Sequence, residues 1–187
     1  MNYSNTTIET SRLVLKMLDG SFADMVSHFL ISNKDFFAPY ESEKPPFYYS
    51  AMYQTSVLDH EYQSSINMQY LRYYVFLKED LDTVIGTVSL GKISPFPYND
   101  SILGYRFDKD FCHKGYATEA VAAILHEGFT TFKLHRVSSY VMENNIPSIN
   151  LMSRLGFKYE GLCEKNINIR GQWESHRLYA LLNPYEI

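Results

Sequence analysis

Apolar positions near the start of the chain change from strand-like to helix-like spacing. Residues 13–17 form a mostly apolar run that is typical of a strand. Asp19 or Ser21 can then cap a helix. The residues that follow have the i, i+3, i+4, i+7 spacing of one apolar helix face: Phe22, Met25, Val26, Phe29 and Leu30. A strand followed by an amphipathic helix is therefore predicted.

The region before the second strand has weaker periodicity. Residues 36–49 are rich in aromatic side chains and are interrupted by prolines. Because proline disfavours the helical conformation in the residue before it, this segment is predicted as a loop. Residues 52–66 are predicted as a helix, although their apolar spacing is poor.

Three strands with short connections come next. Residues 72–78 and 83–90 are rich in aromatic and β-branched side chains, and Leu81 and Asp82 occupy the turn between them. Residues 102–107 form the third strand, after a segment that contains two prolines. These elements predict an antiparallel meander.

A long helix and another strand begin the second half of the chain. The helix is predicted to start near Tyr116, because one continuous apolar face follows: Val121, Ile124, Leu125, Gly128, Phe129 and Phe132. Residues 136–142 are predicted as a strand. A short helix then runs from about Pro147 to Gly156, where glycine tolerates the left-handed conformation that ends a helix.

Two final strands complete the predicted sheet. They cover residues 157–166 and 173–182, and Arg170 and Gly171 form the turn between them. The order of strands and helices indicates an α+β chain with a mixed β-sheet. With no repeat or linker, residues 10–184 are predicted to form a single domain.

The turn before the long helix has the features of an anion site. Gly115 lets a ligand approach the backbone closely. The first N–H groups of a helix have no internal partner, and with the helix dipole they attract negative charge. Lys114 adds a positive charge. A Lys-Gly pair also precedes many helices that bind nothing, and the turn is neither a Walker A loop nor a GxGxxG turn.

Five separated motifs, through their order along the chain, support the interpretation of this turn as an anion-binding site. They are Gly104-Tyr105-Arg106-Phe107-Asp108, Lys114-Gly115-Tyr116-Ala117-Thr118-Glu119-Ala120, Leu134-His135-Arg136-Val137, Asn145 with Ser148, and Leu155-Gly156-Phe157 with Glu160-Gly161. Over about residues 10–182, this pattern resembles the GCN5-related N-acetyltransferases, in the branch of the ribosomal-protein-alanine N-acetyltransferases. The resemblance implies a central mixed sheet, splayed between two strands and flanked by helices.

The resemblance also implies acetyl-CoA as co-substrate, with no metal. Backbone groups of Tyr105 and Phe107 would bind the pantetheine arm, as would Asn145. Arg154 would reach the nucleotide phosphates, or else be a solvated helix residue. The pyrophosphate would lie on the loop and helix start made by Cys112, His113, Lys114, Gly115, Tyr116, Ala117 and Thr118.

Two loop positions depart from the family pattern. The family usually has Gln or Arg where this chain has Cys112, and glycine where it has His113. Most phosphate contacts in this motif come from backbone N–H groups, so the site is expected to persist. The departures are expected to alter cofactor affinity more than cofactor identity.

Acetyl transfer requires a neutral amine, a donor for the oxyanion and a proton for the departing thiolate. The pKa of an α-amine is about 7.7–8.0, against about 10.4 for lysine, so an α-amine needs only a modest base. A backbone N–H can stabilise the oxyanion. Direct attack needs no covalent enzyme intermediate, so Cys112 is not predicted to be a nucleophile.

The resemblance also bears on the residues that move protons. Many relatives have a tyrosine acid seven residues after the motif asparagine, where this chain has Met152. Ser148 is the predicted substitute, although with Asn145 it can also serve only as a helix cap. Glu160 is the predicted base, with a surface carboxylate as the alternative. Asp100, Asp108 and Glu143 are weaker candidates for the base. Glu119 is expected to be structural, because acids favour the start of a helix.

The composition of the chain limits the kinds of partner and cellular compartment that are expected. The net charge is −4 and no long basic run occurs, so no nucleic-acid partner is expected. No apolar run approaches ~20 residues and the polar start lacks a signal-peptide stretch, so no membrane association is expected. Cys112 and Cys163 form no CxxC pair, which favours a reduced, cytoplasmic protein without a metal site.

Three functions remain open at this stage. The first is acetylation of the N-terminal α-amine of a protein, such as a ribosomal protein. The second is acetylation of a small-molecule amine, such as a polyamine or an antibiotic, and the third is acyl-CoA binding without catalysis. The aromatic segment of residues 36–53 would shape either substrate pocket, and the final hairpin could pair between two subunits in a homodimer.

Overall fold

The computed structural model describes residues 3–185. The strands are β1 (Thr7–Glu9), β2 (Leu13–Lys16), β3 (Leu71–Leu77), β4 (Gly86–Ser94), β5 (Asp100–Phe107), β6 (Arg136–Met142), β7 (Lys158–Ile169) and β8 (Gln172–Leu182). The α-helices are α1 (Ala23–Ser32), α2 (Lys34–Phe37), α3 (Ala51–Ile66), α4 (Tyr116–Thr130) and α5 (Ile146–Arg154). No helix in the described range is long and apolar enough to cross a membrane.

All eight strands belong to one mixed sheet, in the order β1-β2-β3-β4-β5-β6-β8-β7. Neighbouring strands are antiparallel except β5 and β6, which are parallel. The predicted meander is confirmed as β3-β4-β5, and the predicted final hairpin as β7-β8. The α+β fold class with a mixed sheet is thus confirmed.

In the first half of the chain, one prediction is wrong and one element was missed. The segment predicted as a loop contains α2 and two 3₁₀ turns, Ala38–Tyr40 and Pro46–Tyr49. Pro39 and Pro46 lie in the first turns of the two 3₁₀ helices, where a missing N–H leaves no hydrogen bond unmade. The edge strand β1 was not predicted, because it has only three residues, two of them exposed, and these carry too little apolar periodicity.

The sheet opens between its two parallel strands. β5 and β6 pair only through residues 100–102 and 136–138. Beyond that point the strands separate, so residues 103–107 and 139–142 lie on either side of a gap. This opening confirms the splayed sheet expected for the fold.

Apolar packing on both faces of the sheet fixes the elements around the gap. On one face α4 packs through the predicted side chains Val121, Ile124, Leu125 and Phe129, all of them buried in the main cluster. On the other face α1 and α3 cover a second cluster that includes Leu58 and Phe76. Burial of each such side chain contributes about 1.5–3 kcal/mol. The start of α4 is therefore held at a fixed position beside the gap.

Candidate active site

A cavity of about 780 Å³ occupies the gap in the sheet. Its walls come from the separated parts of β5 and β6, the loop before α4, the first turns of α4 and α5, and one residue of β8. The aromatic residues Phe36, Phe37 and Tyr40 close one side. Elements distant in the sequence thus converge on one space large enough for the reactive part of a substrate.

The start of α4 faces this cavity with free backbone donors. Gly115 is the N-cap residue, with a left-handed φ of +83° and no capping side chain. The first bond of the helix runs from the Glu119 N–H to the Gly115 carbonyl oxygen, at 3.1 Å. The preceding N–H groups therefore have no helical partner and can bind an anion. Tyr116, Ala117 and Thr118, which are among the residues predicted to hold the pyrophosphate, all line the cavity.

A cluster of hydrogen bonds fastens this turn to the start of β2. One oxygen of Glu119 accepts bonds from the Thr10 hydroxyl, the Ser11 hydroxyl and the Arg12 N–H, at 2.6, 2.9 and 2.8 Å. Its other oxygen accepts the Arg12 Nε–H at 2.7 Å. Burial alone would raise the pKa of Glu119, but these bonds hold the pKa at about 2. The carboxylate is a structural anchor.

Arg12 extends this anchor to the loop itself. Its Nη1 donates to the Lys114 carbonyl oxygen at 3.0 Å, and its guanidinium lies 4.6 Å from the centre of the Tyr116 ring. The Lys114 side chain lies over the Phe111 ring and does not line the cavity. The positive charge predicted beside the phosphates is thus directed elsewhere.

The first turn of α5 forms the opposite wall. The Asn145 side chain caps the helix by accepting the Ser148 N–H at 3.2 Å, and both residues line the cavity. Arg154 also lines the cavity and donates from Nη1 to the Thr118 hydroxyl at 3.3 Å, between the starts of the two helices. Met152, at the position of the expected tyrosine, is fully buried in the core.

The sequence also matches the model of a known protein family. A sequence model of the family described as "Acetyltransferase (GNAT) domain" matches residues 12–158. The chain belongs to the GNAT acetyltransferases. It is therefore an acetyl-CoA-dependent acyltransferase, and the resemblance that the motifs carried is confirmed.

Relatives and solved structures agree with GNAT membership. The chain is 34% identical to a probable N-acetyltransferase, YjcK, of Bacillus subtilis (strain 168), over 81% of this chain and 83% of the relative. Its structure resembles the ribosomal-protein-S5-alanine acetyltransferase from Vibrio fischeri, with a TM-score of 0.91, 24% identity, and 96% and 97% of the two chains covered. The microcin C7 self-immunity acetyltransferase MccE, in complex with acetyl-CoA and AMP, gives a TM-score of 0.84 at 19% identity, with 96% and 97% covered.

The two unusual positions of the GNAT loop both line the cavity. The Cys112 thiol donates to the Asp108 carbonyl oxygen at 3.4 Å, and burial raises its pKa. A protonated thiol fits the expectation that Cys112 is no nucleophile. His113 has a left-handed φ of +61°, a conformation that glycine adopts without strain and other residues rarely adopt.

Tyr105 provides a second hydroxyl group beside Ser148. Burial raises the pKa of Tyr105 to about 12, and the neighbouring Ser148 hydroxyl opposes this effect. Within residues 3–185, the Tyr105 hydroxyl makes no hydrogen bond of ordinary geometry. A buried, protonated and unsatisfied hydroxyl in the cavity wall has capacity to donate to a ligand.

The structure does not bring Glu160 to the cavity. Its carboxylate forms a bidentate pair with the Arg136 guanidinium, at the opposite end of β6 from the cavity-lining residues. That hydrogen-bonded pair lowers the pKa of Glu160. A carboxylate that is held by a guanidinium outside the gap is poorly placed to take a proton from a substrate, so the geometry gives the predicted base role no support.

The weaker acid candidates also lie outside the cavity lining. Asp108 accepts bonds from the Asn33 side chain and the Asp110 N–H, at 2.6 and 2.8 Å. Glu143 faces Arg177 at 3.8 Å, and Asp100 begins β5 where that strand is still paired with β6. None of the predicted carboxylates, among residues 3–185, therefore reaches the gap.

The cavity lining also includes Glu41, Arg106 and His176, none of which was a predicted site residue. Arg106 donates from Nη1 to Glu41 at 3.1 Å, and this pair lies at the aromatic end of the gap. His176 is buried on β8 and faces the gap from the side of β6. A buried histidine in a strand of alternating side chains is the one sequence feature that could have directed attention to it.

Proposed function

We propose that this enzyme transfers the acetyl group of acetyl-CoA to the N-terminal α-amine of a protein. A second cavity, of about 380 Å³, adjoins the first and shares Phe37, Glu41 and Arg106 with it. We infer that the two spaces form one groove, because they meet at these three residues and the second extends to the surface segment around Lys44 and Pro46. A continuous groove suits the end of an extended chain, which must enter tip first.

The charges of the groove favour a peptide over a polyamine. The second cavity is lined by four cationic residues and three acidic residues: Lys34, Lys44, Arg106, Arg170, Asp35, Glu41 and Glu43. The four cations outnumber the three carboxylates, so the lining has no excess of acid to pair with the several charges of a polyamine or a polycationic antibiotic. A peptide presents one amine followed by neutral amides that can pair with both signs. The mixed charge therefore supports a peptide acceptor.

The cofactor is proposed to lie along the opening of the sheet. The backbone N–H groups at the start of α4 would bind its pyrophosphate. The edge of β5 that faces the gap would bind the pantetheine arm at Tyr105 and Phe107, with Asn145 on the other wall. This arrangement would place the thioester between the Ser148 hydroxyl and the acceptor groove.

The reaction is proposed to proceed by direct attack. The amine nitrogen bonds to the thioester carbonyl carbon, the C–S bond breaks, and the thiolate takes a proton from a hydroxyl group in the cavity wall. Ser148 is the proposed donor, with the protonated Tyr105 hydroxyl beside it. The amine gives up one proton, so the products are an amide and free CoA.

Thiol release with matched acceptors tests the proposed function. Purified enzyme and acetyl-CoA would be mixed with a peptide that begins with alanine, the same peptide with a blocked N-terminus and an internal lysine, spermidine, and an aminoglycoside. We expect release of CoA with the free N-terminus alone. Faster release with spermidine or the aminoglycoside would reverse the assignment, and acetyl-CoA binding with no release would indicate a non-catalytic protein.

Replacement of Ser148 by alanine separates catalysis from helix capping. The cap uses the Ser148 backbone N–H, so S148A keeps it. We expect kcat to fall about tenfold, since a positioned proton donor contributes on this scale or more, and KM to stay unchanged. The control is S153A, because Ser153 is exposed on the same helix and outside the cavity. Wild-type kcat in S148A would leave Ser148 with the capping role alone.

A further inference from the structure

His176 lines the cavity that the predicted acids do not reach. It is paired with Met142 of β6 on one side and Cys163 of β7 on the other. Its side chain is 4% exposed, and it lines the cavity together with Tyr105 and Ser148. A titratable ring is thus buried at the gap where the thioester and the amine are proposed to meet.

The hydrogen bonds of the ring fix its tautomer. Nδ1 lies 3.2 Å from the Glu174 carbonyl oxygen and 2.9 Å from the Asn166 side-chain oxygen. A carbonyl oxygen can only accept, so Nδ1 carries the hydrogen in the neutral ring. Nε2 then has a free lone pair, and no hydrogen bond to it is found within residues 3–185. A ring in this state can accept a proton.

A bulge in β7 supplies the second of these contacts. The pairing of Cys163 with His176 is followed by that of Ile167 with Glu174, so three residues of β7 face one residue of β8. Within the bulge Lys165 has a left-handed φ of +45°, and its N–H donates to the Ser175 hydroxyl at 3.0 Å. Bulges beside active sites commonly re-aim a side chain, and this one turns Asn166 onto the His176 ring.

We propose that Nε2 of His176 is the base of the acetyl transfer and that Asn166 is a positioning residue that orients the ring. This inference rests on the proposed function. As the amine nitrogen bonds to the carbonyl carbon, its proton passes to Nε2, directly or through one water. The C–S bond breaks, sulfur takes the Ser148 proton, and the imidazolium returns a proton to Ser148 through solvent. Atoms and charges balance, and the ring is restored.

The surroundings keep the ring neutral before the reaction. Burial lowers the pKa of His176, against the opposing effects of the Glu174 carbonyl and carboxylate. The other titratable groups near it are Cys163 across β7 and, from the end of β6, Glu143 with its partner Arg177. A neutral imidazole is the form that accepts a proton from an α-amine with a pKa of about 7.7–8.0.

Three variants test the two roles with a peptide that begins with alanine. H176Q is expected to lower kcat about 100-fold at about pH 7, with a smaller deficit above about pH 9, where hydroxide can take the proton that the attacking amine loses. N166A is expected to lower kcat about fivefold, because the Glu174 carbonyl still holds Nδ1–H. N166D places a carboxylate against the ring, so the acid limb of the kcat profile should move up by about one pH unit.

Binding and folding controls make the outcome decisive. H60Q is the matched control, since His60 is exposed on α3 and outside the cavity. The melting temperature and the acetyl-CoA Kd of each variant are measured by calorimetry. The melting temperature should match that of the wild type, and the Kd should agree with the wild-type value within about twofold. If H176Q fails to fold, the limb shift in N166D still decides.

The possible failures are distinguishable. Wild-type kcat and an unmoved acid limb in H176Q, or an unmoved limb in a folded N166D, would overturn the assignment of the base. If the wild type acetylates only small amines while H176Q shows the same loss with them, the base is retained and the peptide acceptor is wrong. If the wild type acetylates no amine, both proposals fail.

Discussion

Replacement of Gly115 by alanine is expected to weaken acetyl-CoA binding about 10- to 100-fold. Gly115 has a φ of +83°, and an alanine there strains the backbone by about 1–3 kcal/mol. The added methyl group would also lie 3.3 Å from Arg12 Nη2. Relief of this strain moves the turn, and with it the N–H groups proposed to bind the pyrophosphate. Each 1.4 kcal/mol lost from binding corresponds to about tenfold in Kd.

Gly156 provides the matched control for this substitution. It also has a left-handed φ, of +80°, but its added methyl group would meet nothing within 4 Å, and it does not line the cavity. G156A should therefore lower the melting temperature by backbone strain alone and keep the wild-type Kd in calorimetry. An unchanged Kd in G115A, or an equal loss of affinity in G156A, would remove the pyrophosphate from the start of α4.

Replacement of Glu119 by glutamine is expected to lower the free energy of unfolding by about 2–3 kcal/mol. The carboxylate accepts four hydrogen bonds, two of them from Arg12, and bonds to a charged group contribute about 1.5–3 kcal/mol each. Glutamine offers only one acceptor oxygen, and its amide would face the Arg12 Nε–H donor. Urea unfolding measures the change.

D24N separates these bonds from the general effect of an acid near a helix start. Asp24 is exposed in the first turn of α1, so its loss should change stability by only about 0.3–1 kcal/mol. An equal loss in E119Q and D24N would contradict the anchoring role of Glu119.

The same anchor predicts how stability depends on pH. The folded-state pKa of Glu119 is about 2, below its unfolded value of about 4.3. The stability that this depression contributes is complete above the unfolded pKa and is lost as the pH falls from about 4.3 towards 2. The wild type should thus lose more stability than E119Q over this interval. Parallel curves for the two proteins would contradict the prediction.

Local pattern was sufficient for the elements with strong periodicity. The strand predicted at residues 136–142 coincides with β6, and α4 begins at Tyr116 as predicted. Both have clear apolar faces and clear ends. The pattern was misleading at Pro39 and Pro46, which begin short helical turns, because a proline indicates a break whether a helix ends or begins there.

In the candidate site, too, the local features were predictable from the sequence, and those that depend on strand register were not. The loop around Gly115 was predictable because a glycine before a helix is a local feature, and the structure places this turn at the cavity. That His176 lines the cavity and Glu160 does not could not be predicted from the sequence, since both placements depend on the strand register. The bulge in β7 decides which side chains of the final hairpin face the gap, and nothing in the residue types before Asn166 indicates where it lies.

The short pairing between β5 and β6 has a mechanical consequence. Backbone hydrogen bonds join the two halves of the sheet through only three residues of each strand. A cofactor lying in the gap would contact both halves of the sheet. Its binding would therefore stabilise the association of the two halves. Release of CoA would remove this stabilisation and leave the core packed beneath α4 intact.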